Sequence, residues 1–340
     1  MNKRVISILK YIALLLVGFG LLWLAFRNVD VRTTFNEIKK ANLWWLAASI
    51  LASLIAFFSR AYRWNMLIYP SGFRPSLMNT SYSLMAGYLA NLAIPRLGEV
   101  TRCGTLSKIE KVPFNHLIGT VIVERFLDVL CLLALVLFTL YIEYQRLGNF
   151  LNENLFVPLK EGTEDLFDVQ NLIILSVVVF ALIFFYMIVL KSKSSGKRSK
   201  FRELMHGVAE GLKSVRKLKN PWAFVFHTIL IWLMYFFMSY TCFFALASTS
   251  GLDWRAGLFI LVAGGMGMSA PVQGGIGAYH ILVSQGLILY GIAYQNGLAF
   301  ATLMHASQTL LVLILGGLSF LMIAINERKK TNENTGLNQK

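Results

Sequence analysis

An apolar run over about 256–290 is interrupted in its middle by Pro271, Gly274, Gly275 and Gly277. Proline removes a backbone donor and its ring collides with the preceding turn, and glycine tolerates backbone angles that other residues avoid. An unbroken helix is therefore excluded here. At membrane depth, non-helical backbone persists only where it is buried in protein or lines a wet cavity. The stretch predicts either a broken helix that forms a binding site or a loop joining two short spans.

That the run belongs in a membrane follows from the rest of the chain. Of 340 residues, 56% are hydrophobic and 14% charged, and mean hydropathy is +0.60; a soluble domain carries roughly a quarter charged residues. Six strongly apolar segments, at about 8–26, 43–58, 117–142, 172–190, 222–247 and 298–325, approach the roughly 20 residues that cross a bilayer. Two weaker ones, about 76–106 and 256–290, each carry a proline-glycine interruption. The expected fold is all-α: a polytopic membrane helix bundle of about six full spans and two interrupted segments, either re-entrant or paired short spans. It forms a single transmembrane domain over 1–330, followed by a polar tail over 331–340 expected to be disordered.

The net charge of +15 collects in short segments beside apolar runs, where it orients spans and attracts anionic headgroups. No zinc spacing or nucleic-acid motif accompanies it, so no nucleic acid partner is expected. Cys103, Cys131 and Cys242 are scattered in or near apolar segments and read as core residues. The start Met1-Asn2-Lys3-Arg4 is basic, as in a signal peptide, but Arg27-Asn28-Val29-Asp30 supplies no small-x-small cleavage pattern, and an uncleaved first span is expected. Ten basic residues between 191 and 219 place that loop in the cytoplasm, and the acidic loop at 143–170 outside. Arg60, Arg63 and Arg74 mark another inner loop, and 327–330 an inner C-terminus. Both termini then face the cytoplasm, provided each interrupted segment returns to the side it left.

The segments Ile94-Pro95-Arg96-Leu97-Gly98-Glu99 and Ala270-Pro271-Val272-Gln273-Gly274-Gly275 correspond. With opposite entry sides they suggest an inverted repeat, a transporter arrangement with its site between the breaks. Over 201–218, Phe201, Leu204, Met205, Val208, Leu212, Val215 and Leu218 recur at three- and four-residue intervals. They predict a basic amphipathic helix, lying on the inner membrane surface or packed on the bundle.

Ionisable groups at membrane depth face a partner or a cavity. Glu124 and Asp128 are four apart and share a helix face, from which Arg125 is turned by about 100°. They form either an acid pair at a cavity, with Arg125 gripping a phosphate or another helix, or an interhelical salt bridge to Arg96 or Arg102. Arg96, Glu99 and Arg102 follow Pro95 at three-residue steps. A helix starting there would make an anion-attracting corner, or the arginines would only snorkel to headgroups. Asn91 is read as satisfying backbone at the break. Arg60, Arg63 and Trp64 read as interfacial anchors. Around the second break, Gln273 is a candidate substrate contact, His280 and His305 are either proton-coupled site residues or packing residues, and Gln308 shares a face of the last span with His305 as a further candidate site residue. No nucleophile elbow, metal-ligand spacing or phosphate loop emerges. No enzyme activity and no cofactor is expected.

Taken together, Arg60-Ala-Tyr-Arg63-Trp64, Pro95-Arg96-Leu97-Gly98-Glu99-Val100-Thr101-Arg102, Glu124-Arg125-Phe126-Leu127-Asp128 and Pro271-Val-Gln-Gly274-Gly275-Ile-Gly277 resemble the lysylphosphatidylglycerol synthetase transmembrane-region family, the flippase-like membrane proteins. The resemblance runs from about residue 9 to 325. It implies a multi-pass protein of the cytoplasmic membrane. In the synthetases this region is associated with moving an aminoacylated phospholipid between leaflets, while a separate soluble domain makes that lipid from aminoacyl-tRNA. The chain to Lys340 shows no such domain, so translocation and not synthesis is the expectation. Other members place Glu at the position of His280 and Arg near that of His305, which leaves the substrate open. A lipid or lipid-linked solute translocase would bring Arg96, Arg102 and Arg125 to phosphate, and Glu99, Glu124 and Asp128 to an amine or a coupling proton. The expected partners are membrane lipids with anionic headgroups. In a competing reading the chain is a non-transporting scaffold that docks a soluble lipid-modifying enzyme through 191–219.

Overall fold

The computed structural model describes residues 3–27, 29–151 and 218–337. The expected span at 172–190, the acidic loop beyond Leu151 and the basic amphipathic segment up to residue 217 lie outside the described residues. Within them, every regular element is helical: α1 (Lys3–Phe26), α2 (Val31–Lys39), α3 (Leu43–Ile68), α4 (Leu77–Ala93), α5 (Gly98–Glu110), α6 (Phe114–Ile142), α7 (Tyr144–Leu151), α8 (Pro221–Phe243), α9 (Trp254–Ser269), α10 (Ala278–Ile288) and α11 (Tyr294–Leu337). Two short 3-10 turns, Tyr69–Ser71 and Gln273–Gly275, complete the set.

Local chemistry accounts for where these helices begin. Asn42, Ser76, Asn220 and Asp253 each accept backbone N–H groups at the first turns of α3, α4, α8 and α9. Pro221 adds a residue preset for the first helical position. The two expected breaks end their helices in the same way. Ile94 before Pro95 and Ala270 before Pro271 both adopt extended ψ, 119° and 145°, as the ring of a following proline demands.

After each break the chain folds back, so α4 packs on α5 and α9 on α10 as helical hairpins. Small residues allow the close approach. A methyl group on Gly87 would come within 2.7 Å of the Gly98 carbonyl oxygen, and one on Gly267 within 2.7 Å of Tyr279 Cα. Further interfaces join α3 to α8 and α4, α8 to α9, α10, α4 and α2 to α11, and α6 to α3, α5 and α9.

Leu43–Ser71, Pro221–Phe243 and Tyr294–Ile325 are long and apolar enough to cross a membrane, and Leu15–Phe26 is a shorter apolar stretch. Phe226, Ile229 and Leu233 on α8, and Leu310, Leu313, Ile314 and Leu318 on α11, are exposed. Such contiguous apolar faces suit lipid and not water. The chain is an integral membrane protein with several apolar helices. The boundary expected at residue 330 falls inside α11, which continues as helix to Leu337. Cys103 and Cys242 are buried free thiols, as their apolar neighbourhoods suggest.

Candidate functional site

Four arginines from three helices converge on two carboxylates of α6. Glu124, with no solvent exposure, lies 2.7 Å from Arg60, 2.8 Å from Arg125, 3.0 Å from Arg102 and 3.6 Å from Arg63. Asp128 lies 2.7 Å from Arg63, 3.0 Å from Arg125 and 3.3 Å from Arg60. Aromatic rings and hydroxyls complete the surroundings. The Arg102 guanidinium sits 4.8 Å from the Trp64 ring, whose indole N–H donates to Thr120 at 2.9 Å. Arg60 donates to the Tyr235 hydroxyl at 2.9 Å and lies 5.7 Å from the Tyr88 ring.

The cluster revises several expectations. Arg60, Arg63 and Trp64, expected at the interface, are 6%, 0% and 0% exposed and point into the bundle. The apolar stretch ending at 58 concealed that α3 continues for another ten residues to Ile68, leaving both arginines well inside the helix. Arg125, turned off the acid face by backbone geometry, reaches back with its long side chain to both carboxylates. Of the two salt-bridge partners expected for Glu124, Arg102 makes the contact.

Arg96 instead lies exposed in a left-handed turn with φ 66°. The helix resumes only at Gly98, so Arg96 and Arg102 do not share a helical face. The expected anion corner at this helix start is closed as well, because the Gly98 N–H donates to Asn91 Oδ1 at 2.7 Å. Asn91 therefore satisfies the break, as read from the sequence. Glu99 is half-buried, and its Oε2 is a buried oxygen with no hydrogen-bond partner. Every oxygen of Glu124 and Asp128 lies within ion-pair distance of an arginine. Tyr88, Tyr235 and Thr120 were not singled out in the sequence; hydroxyls in apolar helices carry no spacing signal of their own.

A second constellation surrounds the α9–α10 break. Gly274, Gly275 and Gly277 adopt φ of 56°, 72° and 80°, the left-handed region that side chains disfavour. His305 Nε2 lies 2.7 Å from the Gly274 carbonyl oxygen, an arrangement in which the imidazole N–H donates to broken backbone. His280 is buried, its ring 5.0 Å from that of His305. Gln273 is buried in the turn. Gln308 does not join this group. It accepts from Ser53 at 2.8 Å and donates to Ser49 at 3.4 Å, tying α11 to α3.

The two breaks touch. A Cβ on Gly274 would lie 3.1 Å from Leu92 Cδ2, three residues before Pro95. Among the described residues no three His, Cys, Asp or Glu side chains form a metal-holding group.

These features define a helical integral membrane protein with two interrupted hairpins in contact and a buried arginine–carboxylate cluster beside the first. The family model described as the lysylphosphatidylglycerol synthase TM region matches residues 11–316, nearly the whole chain, and the protein belongs to that family. No curated protein and no solved structure matches it.

Proposed function

We propose that the protein is a lipid translocase, moving a phospholipid or lipid-linked solute between leaflets, and not an enzyme. The observation that carries this reading is the contact between the two interrupted hairpins at Leu92 and Gly274. Paired broken helices at a shared interface are where transporters hold polar substrate groups. Membership of a family named for a lipid synthase's membrane region agrees with a lipid substrate. In this reading the headgroup passes through the polar interior while acyl chains stay in lipid, and the hairpins act as inverted repeats. The excess of Lys and Arg in the segments at 191–219 and 327–330 supports placement in the cytoplasmic membrane with both termini inside.

The test is reconstitution of the purified chain, alone, into vesicles carrying headgroup-labelled anionic, zwitterionic and aminoacylated phospholipids. Loss of label to a membrane-impermeant quencher should outpace protein-free vesicles for at least one lipid. Rates equal to protein-free vesicles for all three would overturn the reading.

A further inference from the structure

We infer that the arginine cluster on α3, α5 and α6 is a receptor for a phosphate group that carries no ammonium. Among the described residues, Arg60, Arg63, Arg102 and Arg125 form ion pairs with two carboxylates, Glu124 and Asp128, leaving two formal positive charges in excess. Counting Glu99 as well, one positive charge remains. Buried charge without a counter-charge is costly, and an anion offsets it.

Donors for that anion are in place. Arg60 Nε, Arg63 Nε, Arg102 Nη2 and Arg125 Nε are buried without a hydrogen-bond partner. Guanidinium groups match phosphate through paired N–H bonds. Access is set by exposure: the Arg125 side chain is 39% exposed and Asp128 18%, while the other partners are 8% or less. The anion enters at Arg125.

An ammonium meets the opposite conditions. The oxygens of Glu124 and Asp128 already face arginines, and a cation would add to the existing excess. A phosphate whose headgroup bears amines is therefore disfavoured against one that does not. Only the assignment of the phosphate to a lipid rests on the translocase reading.

The test uses the full-length protein in nanodiscs of phosphatidylcholine, phosphatidylglycerol and lysylphosphatidylglycerol in equal parts, with retained lipid read by native mass spectrometry. A second arm measures thermal protection of the detergent-purified protein by inorganic phosphate. Phosphatidylglycerol should be retained about tenfold over both other lipids, and Arg125→Gln should remove about that factor. Arg255→Gln, at an exposed residue away from the cluster, should leave retention unchanged. Where Arg125→Gln does not fold, Arg125→Lys keeps the charge but loses the paired donors and should still weaken retention several-fold.

Protection by inorganic phosphate without phosphatidylglycerol retention also supports the receptor, and assigns it to a soluble phosphate. Equal retention of the three lipids without phosphate protection overturns it, as does preference for lysylphosphatidylglycerol or wild-type retention by folded Arg125 variants. Failures separate cleanly. Vesicle translocation with no anion binding removes the receptor and keeps the translocase, whereas phosphate protection without translocation does the reverse.

Discussion

Glu124 accepts from Arg60, Arg102 and Arg125 with no solvent exposure, whereas buried Glu99 Oε2 accepts from nothing. The two acids, alike in sequence as carboxylates beside arginines, should therefore behave differently. Removing one partner of a buried pair leaves uncompensated charge and costs about 3–5 kcal/mol. Glu124→Gln should lower thermal stability in detergent by an amount in that range, with loss of folded protein. Glu99→Gln should leave the melting curve near wild type, so any loss of transport it causes reports function. Indistinguishable melting of the two variants would show that the cluster does not hold the bundle together. Their difference was not legible in the sequence, because it depends on α3 delivering two arginines from more than sixty positions away.

At the scale of elements, the breaks follow from proline, but their shape depends on single side chains. Asn91→Ala would orphan the Gly98 N–H and His305→Ala the Gly274 carbonyl, each expected to cost about 1–3 kcal/mol. His305→Gln, which keeps a donor, should recover part of that loss; chemical denaturation in micelles measures both. Gly275→Leu is more severe. Its backbone has φ 72°, and an added Cβ would sit 2.7 Å from Met268 Sδ. Translocation should be abolished although the protein still reaches the membrane, while Gly104→Ala, with open space around it, should be nearly silent. Wild-type transport by Gly275→Leu, normalised to membrane abundance, would show that the second break is only a connecting loop. At this scale most of the fold was readable: apolar runs marked α1, α3, α6, α8 and α11, and Pro95 and Pro271 marked the turns of the hairpins. The close packing of Gly87 on Gly98 was not, since a glycine in a helix has no periodicity that reveals its partner.

For the whole molecule, the Lys and Arg distribution predicts opposite sides for the loops at 143–170 and 191–219. Single cysteines at Ser194 and Asn152 should label from the inner and outer face respectively, and labelling of both from the same side of intact cells would reject that topology. The sequence by itself determined that the chain is helical and lives in a membrane, and where its helices must break. Those properties depend on composition, on apolar run length and on covalent constraints within a few residues of each proline. Only the tertiary structure decided that Arg60 and Arg63 leave the interface for the interior, that Arg96 and Arg102 part company, and that Gln308 binds α3 and not the break. Those outcomes rest on ion pairs and hydrogen bonds between distant segments, whose strength varies steeply with separation in a low-dielectric interior. The separation is set by how α3, α5, α6 and α11 pack, which no local pattern in the chain encodes.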